Sequence, residues 1–298
     1  MRFYRNGNYT VCIKDDGTKI RRTDDDDFIP AFAENVDVKI TSSCCVGCSF
    51  CYENCTKDGR HGHLFAYPFI NSLHPYTEMA LNGNDMNHPD LERFLMFLHD
   101  RHIFANITVH QLQFMNNYDK IAEYASQGFI HGIGISYSYH NDDFIQKVQL
   151  LPNAVIHTIN GVLTYQDIQD LKGNNLKMLI LGYKDMGRGH FFLDGHRGSV
   201  NELQDMLMDT LPTILKENWF RLVSFDNLAI EQLGVRNLLT EEEWQEFYMG
   251  DDGRYTFYID MVDGTFARNS ISRERYEIGN KTIDEMFNLI RKENEKAS

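Results

Sequence analysis

The sequence has no cysteine after Cys55, only two tryptophans and six prolines, and no apolar run near the ~20 residues needed to cross a bilayer. A disulfide-stapled secreted scaffold distributes cysteines along its length, and this chain does not. The opening Met1-Arg2-Phe3-Tyr4-Arg5-Asn6 also lacks the apolar core of a signal peptide, so a cytoplasmic chain with no membrane partner is expected. Glycine and proline are too ordinary in number for a collagen-like or low-complexity chain. Basic residues are in deficit, with 29 Lys+Arg against 43 Asp+Glu and a formal charge of −14. Such a balance repels a phosphate backbone unless the cations gather on one face, and no gathering is visible, so duplex nucleic acid is not an expected partner. What remains is a chain of 298 residues, 42% hydrophobic and 24% charged, long enough to bury a full core in one large domain or two small ones.

The opening segment reads as a hairpin of Tyr9–Ile13 and Lys19–Arg22 about Asp15-Asp16-Gly17-Thr18, placed as a lid or an edge ribbon. The acidic run Asp24–Asp27 reads as a solvated linker. From Val36 to Lys184, strand-like runs at Val36–Thr41, Thr77–Leu81, Ala105–Val109, Gly132–Ser136, Ala154–Ile159 and Lys177–Gly182 alternate with stretches of helical period such as Leu91–Leu98, Ile121–Ala125 and Phe144–Val148. Six β/α units in succession call for a parallel sheet covered by helices, either doubly wound and open or a complete or partial barrel. Functional residues then belong at the C-terminal ends of the strands. Beyond Gly198 the pattern predicts a helix at Val200–Leu215, a strand at Leu222–Phe225, a helix at Glu241–Phe247, a hairpin of Tyr255–Asp260 with Thr265–Arg268, and a last helix at Ile283–Asn294.

Five of the six cysteines, Cys44, Cys45, Cys48, Cys51 and Cys55, fall within twelve residues directly after the first strand of this alternation. Cys45-x2-Cys48-x2-Cys51-x3-Cys55 has ferredoxin spacing, but its fourth cysteine serves a second cluster that this chain has too few thiols to build. Cys44-x3-Cys48-x2-Cys51 supplies three thiolates, which leave one iron of a four-iron cluster open for substrate. Zinc is a third reading, with His61 and His63 as the nearby completing ligands. The three-ligand frame stands where catalytic groups of a β/α domain belong, and leaves Cys45 and Cys55 as small buried residues.

In this frame Cys44-Cys45-Val46-Gly47-Cys48-Ser49-Phe50-Cys51 resembles the CxxxCxΦC signature of the radical S-adenosylmethionine (radical SAM) superfamily, with Tyr52 following. The resemblance covers about residues 36 to 189. It implies an α/β fold with a partial, TIM-like (β/α)6 barrel at residues 36–197, preceded by the hairpin and linker of 1–35 and closed by an α+β extension at 198–298. It implies a [4Fe-4S] cluster on Cys44, Cys48 and Cys51 that binds S-adenosylmethionine and cleaves it reductively, forming a 5′-deoxyadenosyl radical that abstracts hydrogen from a substrate. An external one-electron donor of flavodoxin or ferredoxin type is the implied partner. The cofactor carries such chemistry, and the protein positions, tunes and shields it.

Secondary motifs extend the likeness. Phe50 and Tyr52 flank the third cysteine. Asn82-Gly83-Asn84-Asp85-Met86-Asn87-His88-Pro89 is similar to the family's Gly-Gly-Glu-type motif in a variant with Asn for Glu. Gly83 permits close backbone approach there and Asn84 offers an acceptor to the methionine amino group, although Asn82 and Asp85 replace the motif's first glycine and its proline. Ser136 ends the fourth strand as a candidate for the ribose or carboxylate. His157, Ile159 and Gly161 resemble the Ile-x-Gly adenine contact, with a satisfied core histidine as the other reading of His157. Gly182 closes the sixth strand; Lys184 and Arg188 beyond it suit a carboxylate or phosphate, or are surface charges.

Within the first strand Asp37, Lys39 and Thr41 share one face, which makes Lys39 a lumen candidate unless the strand is an exposed edge. Asp226, Asn227, Glu231, Gln232, Asp251 and Asp252 are substrate candidates that serve equally as caps and turn residues. The expectation is a radical SAM enzyme acting on a small molecule, a nucleotide or a peptide. The alternative from another class is a non-catalytic iron–sulfur or zinc protein.

Overall fold

The computed structural model describes residues 1–82 and 85–297. The N-terminus forms β1 (Arg2–Asn6), β2 (Tyr9–Ile13) and β3 (Lys19–Arg22), an antiparallel sheet of its own. The expected hairpin is therefore two strands of three. Most of β1 is exposed and carries two arginines, so no core-facing alternation marked it in the sequence.

β4 (Asn35–Lys39) leads into the cysteine loop, then come β5 (Glu78–Asn82), α1 (Leu91–Asp100), β6 (Phe104–His110), α2 (Gln111–Asn116) and α3 (Tyr118–Ser126). β7 (Gly132–Ser136), α4 (Asp142–Gln149), β8 (Ala154–Ile159), α5 (Tyr165–Leu171), β9 (Lys177–Leu181) and α6 (Gly187–Lys216) complete the alternation. The helices begin where local chemistry starts them. Asn141 caps α4 by accepting the Phe144 amide, with Asp142 and Asp143 in the first turn and Lys147 in the last. Thr164 and Asp167 form a reciprocal capping box on α5. In α1, Leu91, Phe94, Leu95 and Leu98 recur at helical period and are all buried. The first β/α unit departs from expectation, because between β4 and β5 the chain makes the cysteine loop and a 3-10 turn at Pro68–Asn71 in place of an α-helix.

The last third contributes β10 (Leu222–Phe225), α7 (Asn227–Gln232), α8 (Glu241–Phe247), β11 (Thr256–Asp260), β12 (Thr265–Ala267), β13 (Tyr276–Glu277) and α9 (Ile283–Ala297). Its strands join the main sheet at both sides, in the order β10-β9-β8-β7-β6-β5-β4-β11-β12-β13. All neighbours from β10 to β11 are parallel, and β12 and β13 continue antiparallel. The α/β expectation holds, and the sheet expected as a partial, TIM-like barrel is an open mixed sheet. Closure would require a ladder between the outermost strands, and among the described residues β12 and β13 lengthen one edge without meeting β10 at the other. No helix among the described residues is long and apolar enough to cross a membrane.

The two faces of the sheet differ chemically. One carries Val36, Val38, Met79, Leu81, Ile107, Ile135, Ile156, Ile180 and Ile259, buried in a single continuous core with Phe94, Phe114 and Phe144. The other carries Asp37, Lys39, Asn82, Asn106, Thr108, Ser136 and His157, most of them only half-buried. A period of two thus separates a packed face from a polar one on internal strands.

The N-terminal sheet sits at the N-terminal end of these strands. Lys19 Nζ lies 2.6 Å from Glu78 on β5, and Arg21 lies 2.7 Å from Glu34, just ahead of β4. The Asp15 carbonyl accepts from Asn153, and that of Asp16 from Lys177 at the start of β9. A cavity of about 400 Å³ lined by Tyr76, His102, Phe104, His131 and Asn153 lies between them, at the opposite end of the strands from the cysteine loop.

Candidate functional site

The cysteine loop leaves β4 at its C-terminal end and is folded back upon itself by backbone bonds. Cys44 N donates to Thr56 O (2.8 Å), Thr56 N to Ser42 O (3.1 Å), and Ser42 N to Arg60 O (2.9 Å). Bridges pair Thr41 with His61 and Ser43 with Thr56, and a Cβ on Gly59 would collide with the Ser42 carbonyl. Cys44, Cys48 and Cys51 are half-buried, Cys55 is buried and Cys45 is exposed. The expectation that Cys45 is buried is therefore corrected; its sulfur accepts from Gln113 Nε2 at 3.4 Å.

Cys44 and Cys51 both lie within electrostatic reach of Cys48. Burial raises the Cys48 thiol, and Cys51 and Cys44 add to that. A hydrogen bond from the Cys55 thiol, aided by the amides of Cys55 and Glu53 and by Arg188, brings Cys51 down to about 6 against its burial. Among the described residues no three His, Cys, Asp or Glu side chains are arranged as a metal-ligand set. The donor chemistry, three partly accessible thiols on one loop beside a half-buried guanidinium, nevertheless suits a thiolate-bound cluster.

The start of α6 clamps this loop. Arg188 donates from Nε to Cys48 O (3.0 Å) and from Nη1 to Cys55 O (2.9 Å), while its backbone amide donates to Cys51 O (3.0 Å). Gly187 has φ +54°, and a Cβ there would strike the Tyr52 carbonyl. A Cβ on Gly189 would fall 2.6 Å from Lys184 O and 3.2 Å from Phe50 O. Two glycines thus let the first turn of a helix lie directly on the loop. Phe50 packs edge-on against Phe192 at 6.0 Å, and Tyr52 carries the Lys184 ammonium 4.1 Å from its ring centre.

The segment after β5 meets the loop from the other side. Gly83 and Asn84 lie outside the described residues. Asn87 Nδ2 donates to Ser43 O at 3.1 Å, tying the segment to the cysteine loop. Asp85 is fully buried; its Oδ2 accepts the Thr108 amide at 2.8 Å and its Oδ1 has no partner among the described residues, and burial pushes its carboxyl up to about 8. His88 donates from Nε2 to Gly62 O and accepts the Asp90 amide at Nδ1, which places the neutral tautomer there.

At the ends of β6 to β8, His110, Ser136 and His157 stand opposite one another in register. Burial lowers His157 to about 4. Ile159 is half-buried on the same face. Gly161 has φ +86° and packs against Val200, and Gly182 donates its amide to Asp226. Gln111 was missed by sequence reasoning, since nothing marks a lone glutamine after a strand. It is buried, accepts the amides of Ser138 and Tyr139 and donates to Tyr139 O, holding the turn beyond β7.

Lys39 and Asp37 lie on the polar face of β4, which is internal, between β5 and β11. Lys39 Nζ is 2.5 Å from Glu53 and 3.3 Å from Asp260; burial pulls the ammonium down, but the two carboxylates outweigh it and hold it above its ordinary value. Glu53 also accepts from Tyr258 OH, so the cysteine loop is tied to β4 and β11 through a buried ion pair that the sequence did not signal. Asp37 is reached by solvent yet ringed by protein, and desolvation pushes its carboxyl up to about 6; Asn35 is its hydrogen-bond partner at 3.1 Å. Lys184 donates to Ser270 Oγ at 3.0 Å.

The C-terminal candidates are placed as caps and struts. Asp226 caps α7 through the Ala229 amide, and Gln232 bridges Asn160 and Tyr183. Asp251 accepts from Tyr248, and Asp252 holds Asn227 and Asn269. Glu231 lies within α7.

No family model matches the sequence, and no curated protein matches it. Among solved structures, the crystal structure of Streptococcus suis SuiB bound to S-adenosylmethionine is similar in fold, with a TM-score of 0.57 and 13% sequence identity over 88% of this chain and 68% of that one.

Proposed function

We propose that this chain is a radical SAM enzyme, with Cys44, Cys48 and Cys51 holding a [4Fe-4S] cluster and the polar face of the sheet receiving S-adenosylmethionine and a substrate. The observation that carries this reading is the three-thiol loop itself: it stands at the C-terminal end of an internal parallel strand, clamped by Arg188 and the start of α6. That end of a parallel sheet is where ligands bind in α/β folds. The similar fold of SuiB, whose structure was solved with S-adenosylmethionine bound, supports the same cofactor here.

When bound, such a cluster supplies one electron to S-adenosylmethionine, whose cleavage yields a 5′-deoxyadenosyl radical. The chain's own residues do the rest. Arg188 and the backbone of α6 fix the loop carbonyls, and Asn87 ties in the segment after β5, whose Gly83 and Asn84 would meet the methionine. Ser136, His157, Ile159, Gly161 and Gly182 would border the nucleoside, with Phe50 and Tyr52 beside the loop. His157, neutral across the physiological range, adds no charge beside a sulfonium. The electron comes from an external donor of flavodoxin or ferredoxin type.

Anaerobic reconstitution tests the proposal. About four irons per chain, with 5′-deoxyadenosine formed only in the presence of reductant and S-adenosylmethionine, is the expected result. One zinc per chain and no cleavage would favour a structural metal protein instead.

A further inference from the structure

The reading of the polar face as the substrate chamber leaves one carboxylate on it with no close ion pair among the described residues. Lys39 neutralises Glu53 and Asp260, and Asp260 also takes the amides of Val262 and Asp263. Asp226 is spent on the amides of Gly182 and Ala229, and Asp252 on Asn227 and Asn269. Among the described residues Asp37 has the neutral amide of Asn35 as its hydrogen-bond partner; the Lys184 ammonium lies within electrostatic reach but is opposed there by Asp226 and Asp252, and Asp37 is the acid on β4 that solvent reaches.

The register sets this carboxylate between a small residue and a tyrosine. Asp37 stands opposite Ala80, Ala80 opposite Asn106, and Asn106 opposite Gly132, whose lack of a side chain accommodates the Asn106 amide. On its other side Asp37 faces Tyr258 on β11. Tyr52 lies within electrostatic reach and already carries an ammonium on its ring, that of Lys184, which spends a hydrogen bond on Ser270. A partly desolvated carboxylate, in an acidic surrounding and with a small residue and tyrosines beside it, is matched by a nitrogen cation, which supplies both charge and donors.

We propose that the substrate places a cationic nitrogen, a protonated amine or a guanidinium, against Asp37 beside Ala80. This rests on the substrate-chamber reading, yet it is testable without cofactor. Agmatine is titrated into the full-length chain labelled with ¹³C-aspartate, with 1-pentanol as the neutral control, and the carboxyl resonance that disappears in Asp37→Asn is followed. Expected are saturable binding of agmatine that shifts this resonance, no such shift with 1-pentanol, and at least about a tenfold weakening in Asp37→Asn. Ala80→Leu, which enlarges the neighbouring side chain while keeping the carboxylate, should abolish binding with the resonance still present. Absence of saturable binding to the wild type, equal binding to Asp37→Asn, or an equal response to 1-pentanol overturns the proposal. Failure of cluster assembly or of S-adenosylmethionine cleavage with the agmatine results intact would instead overturn the enzyme reading alone.

Discussion

The imidazole of His157 occupies the space that any side chain on Gly134 would need: a Cβ there would collide with Cε1 and Nε2 of the ring. The pair lies on neighbouring strands of the polar face, where Gly134 is opposite Val155 and Ser136 opposite His157. The glycine is therefore what allows a desolvated, neutral histidine to lie across β7 beneath the strand ends.

Gly134→Ala should destabilise the chain by about 1–3 kcal/mol, the usual cost of overpacking. His157→Ala in the same chain should recover most of that loss, because the two effects share one volume. Urea unfolding of the single and double variants measures the coupling, and additive losses would mean that the ring does not fill that space.

Asp85 makes stability depend on pH. Its carboxyl is raised to about 8 in the folded chain from an ordinary 3.8, so between these values the native state holds a proton that the unfolded state releases. The stabilisation is complete below the lower value and is lost as pH rises through the upper one. Asp85→Asn keeps an acceptor for the Thr108 amide and carries no charge, so it should be more stable than the wild type at pH about 8 and show no decline from this site. Parallel stability profiles for the two chains between pH about 5 and 8 would argue against the buried, protonated carboxyl.

Arg188→Met removes two charge-assisted bonds to the cysteine loop, each of a kind worth about 1.5–3 kcal/mol. The loss should be local. Amide exchange is expected to quicken across residues 44–56 while β6 to β8 keep their protection; unchanged exchange in the loop would show that Arg188 does not clamp it.

Lys39→Met leaves Glu53 and Asp260 facing each other without their cation and should cost about 3–5 kcal/mol, as breaking a buried pair does. Adding Glu53→Gln should restore part of the loss, read as a higher melting temperature of the double variant than of Lys39→Met. A milder effect, below about 1 kcal/mol, would place the pair in solvent.

Much of this architecture is written in alternation. β7 and β8 run from Gly132 to Ser136 and from Ala154 to Ile159, as the apolar–polar period of their residues predicts, and the alternation of strands and helices follows from β5 to β9. Local patterns speak less clearly where long-range pairing decides. β11 reads as one arm of a hairpin, which it is with β12, but nothing in Thr256–Asp260 shows that its other edge pairs parallel to β4. That insertion makes β4 internal and brings Asp260 to Lys39 across more than two hundred residues. The cysteine spacing was legible because ligation constrains it tightly. Glu53, Asp85 and Gln111 were not, since a single buried polar residue gains its role only from the partner that the fold delivers.

The central claim is that three thiolates leave one iron open to S-adenosylmethionine, and the electron paramagnetic resonance spectrum of the anaerobically reconstituted, reduced chain addresses it directly. The account predicts a [4Fe-4S]⁺ signal that changes when S-adenosylmethionine is added, persists in Cys45→Ala and is lost in Cys48→Ala. A signal indifferent to S-adenosylmethionine, or one retained in Cys48→Ala, would contradict it.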